Sequence, residues 1–335
     1  MMRKIVFYGA VGSFDYNQVG GTESFIRRLA FQISRWGCKV TYVLYGKEHY
    51  VELEPRQGIT LKYFGTFEES IDFLASDYHN VLTIYLYPKH RLNFFFFRKK
   101  AKAFFHFLYF SWPDSITKRY AYLLEPLLLL YTGKLFCISM RQYEFMKKWT
   151  DKAVYLPPPV PDDYYVTIED KPVNDKIRLT FLGRIDPLKG ILDVIKIFKE
   201  ASRWGKFDCK IYGIYNPQNK GSKEVRDYLL SQRKIEYIEV ERTEWNPYVE
   251  DMVKKVLRNT DIFIQPYKKL SSTIDTPLLI LEAMANLCAV ITKPFGNIPD
   301  IYGESPFLAP VDGFVEYVIN FLKNLAHEDI LKERE

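Results

Sequence analysis

Two cations five positions apart stand in the segment "LTFLGRIDPLKGILDVI", residues 179–195. Arg184 follows an apolar run that ends at Gly183. Lys189 precedes a helical pattern that starts near Gly190. A helix N-terminus attracts anions, and two cations beside it can clamp a diphosphate. Two solvated cations on a surface loop would give the same pattern, so the segment favours the two interpretations about equally.

A single acid, Glu282, stands in the otherwise apolar stretch "PLLILEAMANL", residues 277–287. A carboxylate can accept hydrogen bonds from both vicinal hydroxyl groups of a ribose, which would make Glu282 part of a nucleotide site. The sequence places Glu282 at the front of a helix, where the helix dipole by itself also favours an acid. Either explanation accounts for the charge. The stretch "KPFGNIPDI" that follows offers a flexible turn at Gly296 near the same place.

Two adjacent glycines follow the first apolar run, in "NQVGGTESFIRRLA", residues 17–30. Gly20 and Gly21 would let a ligand approach the backbone, and Thr22 is predicted to cap the next helix. A turn that merely needs glycine is the simpler interpretation of this motif alone. The spacing matches neither Gly-x-Gly-x-x-Gly nor a Walker Gly-Lys-Thr, which argues against a nicotinamide dehydrogenase or a P-loop ATPase.

One histidine stands out among the five because it interrupts an aromatic run, "AFFHFLYF". His106 is predicted to lie near the end of a strand of the first sheet and to project toward a ligand cleft. A lone histidine on an aromatic strand is more often a core residue. His90, in "YPKHRLN", is the alternative functional histidine.

The elements that must position these residues alternate along the whole chain. Short runs rich in β-branched and aromatic residues alternate with helical periodicity, which indicates βαβ units and parallel sheets. Three prolines in "VYLPPPVPDDYY" interrupt the series and predict a domain boundary. We therefore predict an α/β protein with two Rossmann-like doubly wound domains, residues 1–160 and 161–335, that face a cleft. The last helix could pack back on the first domain.

Composition excludes several classes of protein. The 335 residues are 47% hydrophobic and 26% charged, and no apolar run reaches the ~18 residues of a membrane helix. The net charge of +6 is too modest to indicate a nucleic-acid partner. The four cysteines form no Cys-x-x-Cys pair, so we expect buried free thiols and no metal site. The first residues are typical of a buried strand rather than a signal peptide, which predicts a cytoplasmic protein.

Residues 89–113 contain six Lys or Arg and no acid, interleaved with four consecutive phenylalanines, Phe94 to Phe97. Such a segment can dock peripherally on an anionic membrane, with the phenylalanines entering the interface. Alternatively, the phenylalanines belong to the core and the cations form a solvated edge. Sedimentation with anionic vesicles separates the two interpretations.

Three motifs in this order resemble the retaining glycosyltransferases with the B-type two-domain fold, glycosyl transferases group 1 or family four-like. They are "GGTE" from Gly20, "FLGRIDPLKG", and "PLLILEAMANLCAVITKPFGNIPDI". The resemblance covers nearly the whole chain. It implies transfer of a sugar from a UDP-, GDP- or ADP-sugar to a glycan, lipid or protein acceptor, with retention of anomeric configuration and without a metal or other cofactor.

The resemblance also implies roles for individual residues. Arg184 and Lys189 match the cations that bind the diphosphate, and Glu282 matches the carboxylate that holds the ribose. His106 stands where the family has a histidine beside the donor sugar. The candidate catalytic residues are therefore His106, Arg184 and Lys189; the candidate donor-binding residues are Gly20, Gly21, Gly183, Arg184, Lys189, Asp275 and Glu282.

The sequence departs from the family at one position. The first glutamate of the paired-glutamate motif would fall at Ile274, and Asp275 is the nearest carboxylate that could replace it. A protein that binds sugar nucleotides without transferring the sugar is therefore the alternative function.

Overall fold

A computed structural model of the chain describes residues 4–11, 14–18, 20–76, 80–84, 104–110, 133–172, 174–217, 221–240, 247–268 and 273–334. The chain divides into two compact units, Met1–Pro159 and Val160–Glu335. The division falls within the proline run that the sequence marks as a boundary. Each unit has its own largely parallel sheet with apolar strands. The predicted α/β class is therefore confirmed.

The described part of the first unit contains an eight-stranded sheet, in the order β3-β4-β2-β1-β5-β6-β7-β8. All neighbouring strands are parallel except β3 and β4. The strands are β1 (Lys4–Ala10), β2 (Lys39–Tyr45), β3 (Val51–Arg56), β4 (Ile59–Phe64), β5 (Asn80–Thr83), β6 (Phe104–Tyr109), β7 (Leu135–Cys137) and β8 (Ala153–Tyr155).

Three described helices accompany this sheet: α1 (Gly21–Arg35), α2 (Phe67–Ser76) and α3 (Met140–Lys147). In α1 the buried residues include Ile26, Ala30 and Ile33, whose spacing of four and three places their side chains on one helix face. Residues of α2 and α3 belong to the same buried cluster as alternate residues of β1, such as Val6. The period of two in the strand and of 3.6 in the helices thus builds the core that the sequence predicts.

The described part of the second unit contains a five-stranded parallel sheet in the order β11-β10-β9-β12-β13. Its strands are β9 (Ile177–Arg184), β10 (Phe207–Ile214), β11 (Glu236–Val240), β12 (Ile262–Gln265) and β13 (Ala289–Thr292). Its helices are α4 (Ile191–Ala201), α5 (Ser222–Ser231), α6 (Pro247–Arg258), α7 (Leu278–Ala285), α8 (Ile298–Tyr302), α9 (Phe314–Asn324) and α10 (His327–Arg334). Because all five strands are parallel, their carboxyl ends share one edge, where ligands bind in such sheets.

The last helix, α10, packs within the second unit. Arg334 Nη2 lies 3.0 Å from Asp261 Oδ1, just before β12, and Ser305 Oγ donates to the Glu333 carboxylate. Ile330 of α10 belongs to the buried core of this unit. These contacts hold α10 against the second unit.

All four cysteines are free thiols, and Cys137, Cys209 and Cys288 are buried, as the sequence predicts. Among the described residues, no helix is long and apolar enough to cross a membrane.

Candidate functional site

The carboxyl ends of β9, β12 and β13 are tied together by side chains. Gln265 Nε2 donates to the Leu182 carbonyl at 2.6 Å, which joins β12 to β9. Thr292 Oγ1 donates to the Gln265 carbonyl at 2.8 Å, which joins β13 to β12. Leu182, Gln265 and Thr292 are all buried. Hydrogen bonds between buried groups hold their partners in fixed positions, so the three strand ends form a rigid platform.

The two cations of the first motif stand on this platform. Arg184 is the last residue of β9 and is exposed. A turn of 3-10 helix, Pro187–Lys189, follows, and Asp186 caps it by accepting from the Leu188 N–H at 2.9 Å. Gly190 then adopts φ +80° before α4 begins. The structure therefore shows Arg184 at a strand end and Lys189 just before a helix N-terminus, the positions that the sequence predicts.

Lys189 is held in an unusual electrostatic environment. Its Nζ lies 4.9 Å from the centroid of the Tyr267 ring. Burial, and then the positive charge of Arg184, lowers the pKa of Lys189 to about 7, against a smaller opposite effect of Asp186. The folded protein therefore holds this ammonium group less favourably than water does. A bound anion would favour the ammonium form and would reverse this shift.

Tyr267 is the residue at which the site converges, and sequence reasoning missed it. It follows β12 after a single proline and is buried, with its ring 5.7 Å from that of Phe295. Burial raises the pKa of the Tyr267 hydroxyl, the Thr273 side chain hydrogen-bonds to that hydroxyl, and the charges of Glu282 and Arg184 act on it in opposite directions. An aromatic residue directly after a strand end, in "IQPYKK", was the signal that could have identified it.

Glu282 is buried in α7, and its position differs from the prediction. The helix begins at Leu278, so Glu282 is its fifth residue and lies in the second turn rather than the first. The helix dipole falls off within the first turn and does not explain this acid. Burying a carboxylate is costly unless it is hydrogen-bonded or paired. The position is therefore compatible with the ribose-binding role that the sequence predicts.

Asp275 is fixed against the turn that follows β13. It is 1% exposed, and its carbonyl accepts from the Asn297 N–H at 2.9 Å. Gly296 has φ +54°, and a Cβ there would lie 3.0 Å from Asp275 Oδ1. The Gly296 turn is thus a close backbone approach, not the flexible loop that the sequence suggested. Ile274 is also buried, at 5% exposed.

The glycine pair of the first unit begins a helix without a side-chain cap. Gly20 is the N-cap residue of α1 with extended backbone, φ −171°. Gly21 is the first helical residue and is exposed. Thr22 lies inside the first turn, so the prediction that it caps α1 is wrong. A Cβ on Gly20 would collide with the Glu23 carboxylate, which folds back toward the helix start.

His106 is the third of six residues in β6, away from the strand's carboxyl end. Its Nδ1 accepts from the Lys134 N–H at 3.0 Å, just before β7 begins, and its ring packs on Phe136. Burial lowers the pKa of His106. The expected position near the strand end is not observed, because three more residues of β6 follow His106. Its described contacts join two strands.

Two sequence predictions fall largely outside the described residues. Of the basic and aromatic segment 89–113, the structure describes residues 104–110, in which Phe107 to Phe110 are buried. His90 and Phe94 to Phe97 lie outside the described ranges.

Comparison with known proteins identifies a family for most of the second unit. Residues 176–324 match the family model of glycosyl transferases group 1. This segment contains Arg184, Lys189, Asp275 and Glu282. No curated protein matches the chain at a significant level.

Similar solved structures cover nearly the whole chain. Sucrose-phosphate synthase from Thermosynechococcus elongatus has a TM-score of 0.66 at 15% identity, over 99% of this chain and 93% of that one. HepE from Anabaena, in complex with UDP and glucose, has a TM-score of 0.65 at 11% identity, over 99% and 92%. An α,α-trehalose-phosphate synthase from Burkholderia vietnamiensis has 0.59 at 10%, over 100% and 94%. At these identities the likeness shows the fold, and the predicted B-type glycosyltransferase fold is confirmed.

Proposed function

We propose, on the premise that residues 176–324 belong to the glycosyl transferases group 1 family, that this protein transfers a sugar from a nucleotide diphosphate sugar to an acceptor with retention of anomeric configuration. One observation carries the proposal. At the shared carboxyl edge of the second sheet, Lys189 Nζ lies 4.9 Å from the centroid of the Tyr267 ring. The charges of Arg184 and Glu282 affect the pKa of the Tyr267 hydroxyl. Cations that could bind a diphosphate and a carboxylate that could bind a ribose, from two separate segments, thus act on one residue of a third segment, which supports the proposal.

The second unit would hold the donor. Arg184 and Lys189 would bind the diphosphate and stabilise the negative charge that develops on the departing nucleotide. Glu282 would accept hydrogen bonds from the ribose hydroxyls. Because the two cations already supply the positive charge, we propose that the reaction requires no metal ion.

Asp275 would take the place of the carboxylate that is missing at position 274. Its fixed position against Gly296 supports this role, because a rigid carboxylate can orient a sugar hydroxyl without further ordering. The first unit would contribute the acceptor side, with Gly20 and Gly21 exposing backbone to a ligand. A contact between His106 and the donor sugar stays a prediction; the described structure shows its Nδ1 accepting from the Lys134 N–H. Cytoplasmic location and contact of residues 89–113 with a membrane stay predictions.

The lowered pKa of Lys189 predicts that donor affinity depends on pH. The diphosphate would bind the ammonium form, so donor affinity should be constant below pH 7 and fall about tenfold per pH unit above it. Calorimetric titration with UDP-glucose, or with the nucleotide sugar that binds best, measures this dependence over roughly pH 6 to 9. Lys189→Arg, which stays charged throughout, should flatten it. A wild-type affinity that does not change across this range would contradict direct contact between Lys189 and the diphosphate.

Incubation of the purified protein with UDP-, GDP- and ADP-sugars, with chromatographic detection of the released nucleoside diphosphate, tests the activity. Slow hydrolysis or transfer from one donor is the expected result. Asp275→Ala should lower that rate by about 10²-fold while leaving nucleoside diphosphate affinity unchanged, because the proposed role of this carboxylate is to contact the sugar alone. Tight nucleotide-sugar binding without turnover, across a panel of acceptors, would favour the non-catalytic binding protein instead.

A further inference from the structure

A cavity of about 480 Å³ lies at the carboxyl edge of the second sheet, between α4 and α9. Its walls come from α4, from the segments that follow β12 and β13, and from the first turn of α9. Every lining residue is described by the structure, and Arg184 and Lys189 are not among them. A volume in this range suits a small organic ligand.

Three lysines and two acids line the cavity, which leaves one net positive charge. Asp193 is shared between two of the lysines: Lys268 Nζ lies 3.1 Å from its Oδ1, and Lys293 Nζ lies 3.3 Å from its Oδ2. The third lysine, Lys196, is exposed on the same helix as Asp193. The Asp193 carboxylate therefore neutralises only one of the two ammonium charges that it contacts, and a bound anion could neutralise the other.

The burial of Lys293 strengthens this argument. Lys293 is only 8% exposed, and its Nζ lies 4.6 Å from the centroid of the Phe314 ring. Removing an ammonium group from water is unfavourable unless opposite charge or hydrogen-bond acceptors replace the water. Lys293 shares the Asp193 carboxylate with Lys268 and contacts one face of the Phe314 ring, and these two contacts replace only part of the lost hydration. An anionic ligand in the cavity would supply the remainder.

The first turn of α9 adds a second source of positive potential. Gly313, at φ +66°, is the N-cap residue of this eleven-residue helix and makes no side-chain cap hydrogen bond. Gly313, Phe314 and Val315 all line the cavity. The backbone N–H groups of a helix start and the positive end of the dipole favour an anion there, and Glu316, the second acid of the lining, offsets part of this potential from the same turn.

We propose that this cavity binds the phosphate group of a small phosphorylated molecule, at a site separate from the nucleotide site. A phosphate monoester carries a charge of about −1.5 to −2 at pH 7, which suits two lysines and a helix start better than a carboxylate does. The organic part would lie along Val311, Val315 and Pro294. Tyr267 and Phe295 line this cavity and also belong to the candidate donor site, so occupation of one should alter affinity at the other.

Calorimetric titration of the full chain with glucose 6-phosphate, inorganic phosphate and glucose tests the proposal. Glucose 6-phosphate should bind saturably and more tightly than inorganic phosphate, and glucose should not bind. Lys293→Met and Lys268→Ala should each weaken binding about tenfold or more. Asp193→Asn should strengthen binding, because it removes the competing carboxylate. Lys199→Ala on the same helix, outside the cavity, is the matched control and should change nothing.

Several results would overturn the proposal: absence of phosphate binding at millimolar concentration, equal affinity in the lysine variants, or weaker binding in Asp193→Asn. Equal affinity for inorganic phosphate and glucose 6-phosphate would rule out a site for a phosphorylated molecule. If Lys293→Met does not fold, Lys268→Ala and Asp193→Asn decide, since Lys268 is well exposed. The titration uses no nucleotide sugar, so a failure of sugar transfer and a failure of phosphate binding are distinguished directly.

Discussion

Alanine at Arg184 or at Lys189 is expected to lower sugar transfer by roughly two to three orders of magnitude, the effect of removing one charged or hydrogen-bonding group from a developing oxyanion. The loss should appear mainly in kcat, because charge on the diphosphate grows as the bond to the sugar breaks. Steady-state kinetics with the preferred donor separates kcat from KM. Lys189→Arg should recover part of the activity, since it restores the charge with altered geometry.

The fold should survive these changes. Arg184 is exposed at the strand end, and the lowered pKa of Lys189 shows that the folded state disfavours its charge. Between pH 7 and the ordinary lysine pKa, the unfolded chain binds more protons at this residue than the folded chain, so its contribution to stability increases with pH. Removing Lys189 should therefore raise the free energy of unfolding at neutral pH. Arg203→Ala, which removes an exposed ion pair with Glu200, is the control variant. Wild-type turnover in both Arg184→Ala and Lys189→Ala would refute the assignment.

The residues that could be predicted from sequence are those whose position depends on local structure. Arg184 and Lys189 flank a strand end and a helix start, and both boundaries follow from hydrophobic periodicity and from Pro187 and Gly190. The alternation of strands and helices likewise predicts two parallel sheets. A short-range sequence pattern is sufficient to predict a residue's position when that position depends only on residues nearby in the sequence.

The residues that could not be predicted depend on contacts between distant segments. Tyr267 meets Lys189 across 78 positions because β9 and β12 are neighbours in the sheet, although three helices and two strands separate them. His106 meets the Lys134 backbone through the register of two strands. Asp193 binds Lys293 across 100 positions. The order of the strands in each sheet and their register determine these contacts. The hydrophobic periodicity of the sequence predicts neither the order nor the register.

Glu282 shows how a small error in a helix boundary changes a chemical interpretation. Placed in the first turn, the acid would be explained by the helix dipole. The helix begins only four residues earlier, after Pro277, and this places the carboxylate in a buried second turn where the dipole does not explain it. Proline at the N-cap was the available signal, since proline is well tolerated at the start of a helix and poorly within it.

Gly190→Ala is expected to destabilise the second unit strongly and to abolish donor binding. At φ +80°, an alanine costs about 1–2 kcal/mol in the left-handed region. Its Cβ would also lie 2.7 Å from Pro266 Cγ and 2.9 Å from the Pro266 carbonyl carbon, closer than van der Waals contact allows. Overpacking of this kind adds about 1–3 kcal/mol. Urea unfolding should therefore show a loss of about 3 kcal/mol in the free energy of unfolding.

Gly205→Ala is the matched control, because Gly205 has φ +74° and nothing within 4 Å of the added Cβ. It should show only the cost of the left-handed backbone, about 1–2 kcal/mol. The difference between the two variants isolates the collision with Pro266, the residue directly before Tyr267. Relief of that collision requires the Lys189 turn and the Tyr267 segment to separate, which also removes the contact between Lys189 and Tyr267. Equal destabilisation in the two variants, with donor affinity retained in Gly190→Ala, would show that the close approach of these segments does not hold the site together.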